Sequence, residues 1–168
     1  MNTNLETIFN EAEKRYLNSE ELSAVGNYVD SLPARLALYR MLRDQEVSLL
    51  QSVANQLEQD YSQVGTAALE QCIKNGVLAL RSCALTMLMM DDNHIHDRIT
   101  WLKQSQQTYQ SRDIDASFYR LLEKHLNATL SVEQMGLLQP SLTAVQNSLG
   151  DRAQAVEVSE NFSVSSLF

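Results

Sequence analysis

Apolar residues recur at three- and four-residue spacing along most of the chain, which is the period of a helix face and not of a strand. Leu5, Ile8, Phe9, Ala12 and Tyr16 form the first stripe, with Glu11, Glu13, Lys14 and Arg15 mostly opposite it. Asn18 with Glu21 three residues later makes a capping box, so a second helix is predicted to start near Ser19. It carries Leu22, Val25, Tyr28 and Val29 and is expected to stop before Pro33. Pro33 suits the first turn of a third helix, where its missing N–H costs nothing. Leu36, Leu38, Tyr39, Met41 and Leu42 fill that helix, and Asp44 to Glu46 lead into a fourth with Val47, Leu50, Val53, Ala54 and Leu57.

Tyr61 to Thr66 reads as a loop, and from Ala67 to about Met90 runs the longest helical pattern. Its middle, Val77 to Met90, is apolar on nearly every face, which places it at the centre of the domain. Asp91 to Asn93 break it and cap a helix bearing Ile95, Ile99, Trp101 and Leu102. Asp113 to Ser117 signal another, with Phe118, Leu121, Leu122 and Leu126. Ser131 and Gln134 form a second capping box for a helix through Leu137, Leu142, Val145 and Leu149, with Gly150 as its stop. Residues 151–168 read as a flexible tail. The prediction is all-α, with eight or so helices. Unequal lengths and one central apolar helix favour globin-type packing over an up-and-down bundle.

Composition narrows the function. At 168 residues and 19.0 kDa the chain is one domain, and five glycines with two prolines are too few turns for a sandwich or barrel. Thirteen basic against 21 acidic residues give a net charge of −8, which excludes a nucleic-acid binder that must neutralise phosphates. Two cysteines make no disulfide framework, and Met1-Asn2-Thr3-Asn4 lacks the basic and apolar regions of a secretion signal. The longest uncharged apolar run, Ser82 to Met90, falls short of the roughly twenty residues a bilayer needs, so no membrane insertion is expected. The expected compartment is a reducing cytoplasm.

No nucleotide loop, nucleophile elbow or C-x-x-C is present. His94 and His96, two apart, point to different helix faces and lack a third ligand, and His125 reads as an exposed helix residue. The acidic pairs Glu20/Glu21 and Asp91/Asp92 sit at helix starts, where the dipole accounts for them. Nothing predicts an enzyme. Cys72 stands out, near the start of the long helix with Lys74 two residues on, a setting that would lower a thiol pKa. Cys83 reads as core. A haem globin would need a histidine in the long helix, and none is there.

Cys72-Ile73-Lys74-Asn75-Gly76, followed by Leu80-Arg81 and Asp91, resembles the chromophore helix of the phycobiliproteins, whose pattern is Cys-x-Arg-Asp-Gly with Leu-Arg eight and nine residues after the cysteine. Glu11 to Leu22 resembles their N-terminal motif separately. The resemblance implies a globin-like fold with two extra N-terminal helices, here a docking hairpin at 1–31 and a globin core at 33–150. It implies a linear tetrapyrrole (bilin) in thioether linkage to Cys72, with Lys74 gripping a propionate and Asn75 facing the pyrrole N–H groups. It also implies a homo- or heterodimer with another phycobiliprotein-like subunit, through Leu5, Ile8, Phe9, Glu11, Arg15 and Tyr16. In the family the residue at Glu11 pairs across that interface with the one at Arg81. The implied setting is photosynthetic light harvesting at the cytoplasmic face of the thylakoid. Two departures point to an alternative, a pigment-free interaction protein in phycobilisome or photosystem assembly, turnover or stress regulation. Asn75 replaces the family's Asp and brings no negative charge. The loop Gln63 to Gln71 is shorter than the family's pigment-walling loop.

Overall fold

The computed structural model describes residues 3–149 as six helices: α1 (Thr3–Ala12), α2 (Ser19–Asp60), α3 (Thr66–Met89), α4 (Asp92–Tyr109), α5 (Arg112–Thr129) and α6 (Val132–Leu149). The caps are where the sequence puts them. The Glu21 N–H donates to Asn18 Oδ1 at 2.9 Å while the Asn18 N–H donates to Glu21 Oε2 at 2.8 Å. Ser131 and Gln134 exchange the same pair at 2.9 and 3.2 Å. The Asn93 N–H donates to Asp91 Oδ1 at 3.3 Å.

The expected eight helices become six because three of them are one. α2 runs 42 residues, straight through Pro33 and through Asp44 to Glu46. Pro33 removes one backbone donor, but the turn around it is tied down from within. Ser31 Oγ and Arg35 Nη2 both donate to the Tyr28 carbonyl, at 3.1 and 2.8 Å. The second apparent gap is a filled position. Leu38, Leu42, position 46 and Leu50 stand four apart on one face, and the mostly buried Glu46 completes that stripe by accepting from Arg81 Nε at 2.8 Å. Tertiary burial beyond Pro33 and on both sides of Asp44 to Glu46, at Arg35, Leu38, Leu42, Leu50, Val53 and Leu57, holds the helix together.

α3 lies at the centre and touches α2, α4, α5 and α6. Its most apolar stretch has a mean hydropathy of 1.2, enough by length and composition for a membrane span, where the run from Ser82 to Met90 alone was too short. Burial of 56% of that stretch inside the domain accounts for it as a core helix. Gly76 lets α3 and α5 approach: a Cβ there would stand 2.0 Å from Phe118 Cζ. α3 ends in a left-handed residue, Met90 (φ 52), whose N–H caps the Thr86 carbonyl. The architecture is all-α and globin-like, preceded by α1 and the first half of α2. The expected break between hairpin and core falls inside an unbroken helix. Gly150 and the tail 151–168 lie outside the described residues.

Candidate functional site

The motif at the start of α3 is divided between two faces of the helix. Cys72 is 1% exposed and Asn75, three residues on, is 3% exposed, so both point inward. Lys74 and Arg81, seven apart, point outward. Lys74 Nζ pairs with Glu70 at 3.6 Å and Arg81 with Glu46, both cations about two-thirds exposed. Residues two apart on a helix face nearly opposite ways. Lys74 therefore cannot lower the Cys72 pKa, and the expectation of an activated thiol is corrected.

The thiol instead faces α5. Burial pushes its pKa far above the ordinary range, and the Asp115 carboxylate, charged and accepting from the thiol, raises it further. Asp115 is itself buried and accepts from Ser111 Oγ at 2.8 Å and from Gln106 Nε2 at 3.1 Å. Gln106 also donates to the Leu149 carbonyl at 2.9 Å, which joins α4, α5 and α6 at this end of the core. Burial, then Asp115 and the two cysteines, raises the Tyr119 hydroxyl as well. Cys83 is buried and pushed up to about 12, chiefly by desolvation. Asn75 is occupied at both ends of its amide: it accepts from Gln71 Nε2 at 3.0 Å and donates to Ser105 Oγ at 3.0 Å. This network links α3 to α4.

Of the four residues expected at the pigment, Arg81 borders a groove, a cleft of about 220 Å³ between α2 and α3 that Tyr39, Leu80 and Leu85 also line. Its ion pair closes within the chain on Glu46. Sequence reasoning overlooked Glu46, Arg35 and Asp115. Glu46 had a signal in the four-residue stripe it completes. Asp115 had one in the buried face it shares with Ile114, Phe118 and Leu122.

The N-terminal set also divides. Leu5 and Ile8 are each 5% exposed, packed within the chain, so they are unavailable to a partner as the fold stands. Phe9 is 49% and Tyr16 100% exposed, and Leu22 and Val29 of α2 are more than half exposed beside them in sequence. Glu11 is engaged locally, with Lys14 at 3.2 Å and Arg15 at 3.6 Å. Arg15 makes a fork onto Glu21, at 2.9 and 2.7 Å. His94 and His125 are half-buried, where His125 was expected on the surface. Among the described residues no group of three or more His, Cys, Asp or Glu side chains could hold a metal ion.

A family model described as "Phycobilisome protein" matches residues 9–150. The chain belongs to the phycobilisome protein family. Comparison with curated proteins gives no significant match. The family match runs from the last turn of α1 through α2 to α6, in agreement with the all-α architecture. The family serves light harvesting, and its members are structural proteins that assemble with other subunits. The residues in the attachment position do not fit the family's bilin. A thioether needs the sulfur open to the pigment, and here it is sealed between α3 and α5 with Asp115 against it. Lys74 faces away from it, and the Asn75 amide is already engaged by Gln71 and Ser105.

Proposed function

We propose that this chain is a pigment-free phycobilisome protein that acts as an interaction subunit in phycobilisome or photosystem assembly, turnover or stress regulation. The observation that carries the reading is the burial of Cys72 at 1% exposure with its proton held by burial and Asp115. The partner is a second phycobilisome-family subunit, a copy of this chain or a relative. It docks on the stripe Leu22, Val25, Val29 and Leu32, whose 3-4-3 spacing is that of a helix-pairing seam. Phe9 and Tyr16, exposed just before it in the chain, extend the apolar surface. The protein works in the cytoplasm, peripheral to the thylakoid.

The second reading, one bilin on Cys72, is favoured by the spacing Cys72, Lys74, Leu80, Arg81. Zinc-enhanced fluorescence of the denatured, gel-separated protein from its native host distinguishes the two. The interaction reading expects a colourless band. A fluorescent band that Cys72→Ser abolishes would establish the antenna reading instead. Analytical ultracentrifugation tests the docking stripe: Val29→Glu should leave the helical circular dichroism unchanged and weaken self- or partner association at least about tenfold, as loss of a central apolar contact does.

A further inference from the structure

A second groove, about 460 Å³, lies between the first half of α2, the last turn of α3 and the middle of α6. Arg35, Thr86, Met87, Leu137 and Pro140 line it, and Asp92 stands at its edge. Two of these groups are left electrically or chemically incomplete by the chain. Arg35 is 2% exposed, yet among the described residues no carboxylate lies within ion-pair distance of it. Its guanidinium donates to the carbonyls of Leu88 and Tyr28 and to Ser31 Oγ, and stacks 4.4 Å from the Tyr28 ring centroid. All of these partners are neutral. They use three of its five N–H groups. Thr86 is 3% exposed, and its buried Oγ1 has no hydrogen-bond partner. A helical threonine ordinarily donates back to the carbonyl four residues earlier. Here that bond is not made, and Thr86 lines the same groove as Arg35.

We propose that this groove binds a small monocarboxylate on a short apolar stem. A carboxylate supplies the counter-charge Arg35 lacks and accepts the Thr86 hydroxyl, and a charge-assisted bond in a partly desolvated site is stronger than a neutral one. The stem lies on Met87, Leu137 and Pro140, an adaptable apolar wall. A single guanidinium and the negative charge of Asp92 at the edge select one charge over two, so a phosphate dianion is disfavoured.

The test is calorimetric titration of the full-length protein with hexanoate, with hexan-1-ol as the uncharged control. Hexanoate should bind saturably and at least about tenfold tighter than the alcohol, as recognition by an ionic hydrogen bond requires. Thr86→Val keeps the side-chain shape without the hydroxyl and should weaken hexanoate about fivefold or more. Gly136→Leu places a side chain in the groove from a position where an added Cβ would meet no atom within 4 Å, and should abolish binding with the fold intact. Asp92→Asn should have the opposite sign and tighten hexanoate about twofold. Absence of hexanoate binding, equal affinity for hexanol, or parental affinity in both Thr86→Val and Gly136→Leu would overturn the proposal.

Discussion

The two halves of α2 are built on the same apolar spacing and meet opposite fates. Beyond Pro33, Leu38, Leu42, Val53 and Leu57 are each 5% exposed or less. Before it, Leu22 is 58%, Val29 55% and Leu32 36% exposed. Helix propensity cannot distinguish them, since one unbroken helix carries both. What differs is the cover: α3 and α5 lie on the second half, and the first half faces outward. Exposed large aliphatics on successive turns of one helix mark a surface that another molecule completes. The second half of α2 belongs to a closed core that keeps the Cys72 thiol inside, and the first half is the exposed arm proposed above as the docking surface.

Two helical glycines, one in each half of the contrast, respond in opposite directions to an added methyl group. Gly76→Ala drives a methyl into the Phe118 ring, which is fully buried and cannot swing aside. Overpacking of this kind should cost about 3 kcal/mol in a guanidinium melt. A loss under about 1 kcal/mol would mean that α3 and α5 are less firmly closed than their contact indicates.

The closed core also makes a prediction about sulfur. Iodoacetamide at pH 8.5 should label Cys72 at least about a hundredfold more slowly in the native protein than in guanidinium, because reaction must await opening of the core. Rapid native labelling of Cys72, read by peptide mass spectrometry, would show the α3–α5 seam to be open and would return the sulfur to consideration as an attachment point.

Much of this was readable from the chain, and what was not failed for definite reasons. The caps at Asn18, Asp91 and Ser131 were readable because capping chemistry is local. The central place of α3 followed from its apolar middle. The continuity of α2 was not readable, because Pro33 and the polar run Asp44 to Glu46 look like breaks until α3 supplies Arg81 to Glu46. The character of Cys72 was misjudged for the same reason. Its neighbours in sequence are a cation and a helix start, but its neighbour in space is Asp115, 43 positions away. The motif could be read, but not the direction in which each member points.

The second glycine tests the open side. Gly26 lies in the exposed half of α2, and a Cβ there would meet nothing within 4 Å. Gly26→Ala should therefore stabilise the chain by about 0.5–1 kcal/mol through helix propensity alone. A melt showing destabilisation would mean that the arm folds back onto something that needs the space.

The smallest effect concerns the joint that ties α1 to the arm, the turn between α1 and α2. The Arg15 guanidinium fork, then the Asn18 backbone N–H, hold the Glu21 carboxyl down to about 2. A carboxyl whose folded pKa is depressed stabilises the fold above its ordinary value near 4.5, and that contribution is lost as pH falls from there toward 2. The α1–α2 joint should thus loosen at acid pH while the core keeps its packing. Because the pair is solvent-exposed, salt should shrink the effect. Two substitutions separate the causes. Arg15→Gln removes the larger one and should raise the Glu21 midpoint toward the ordinary carboxylate range in a carboxyl-carbon NMR titration. Asn18→Ala keeps the backbone donor and should leave that midpoint nearly in place, while costing about 1 kcal/mol as a lost N-cap. If Arg15→Gln left the midpoint near 2, the fork would not be what holds Glu21, and the turn would owe its geometry to the cap alone.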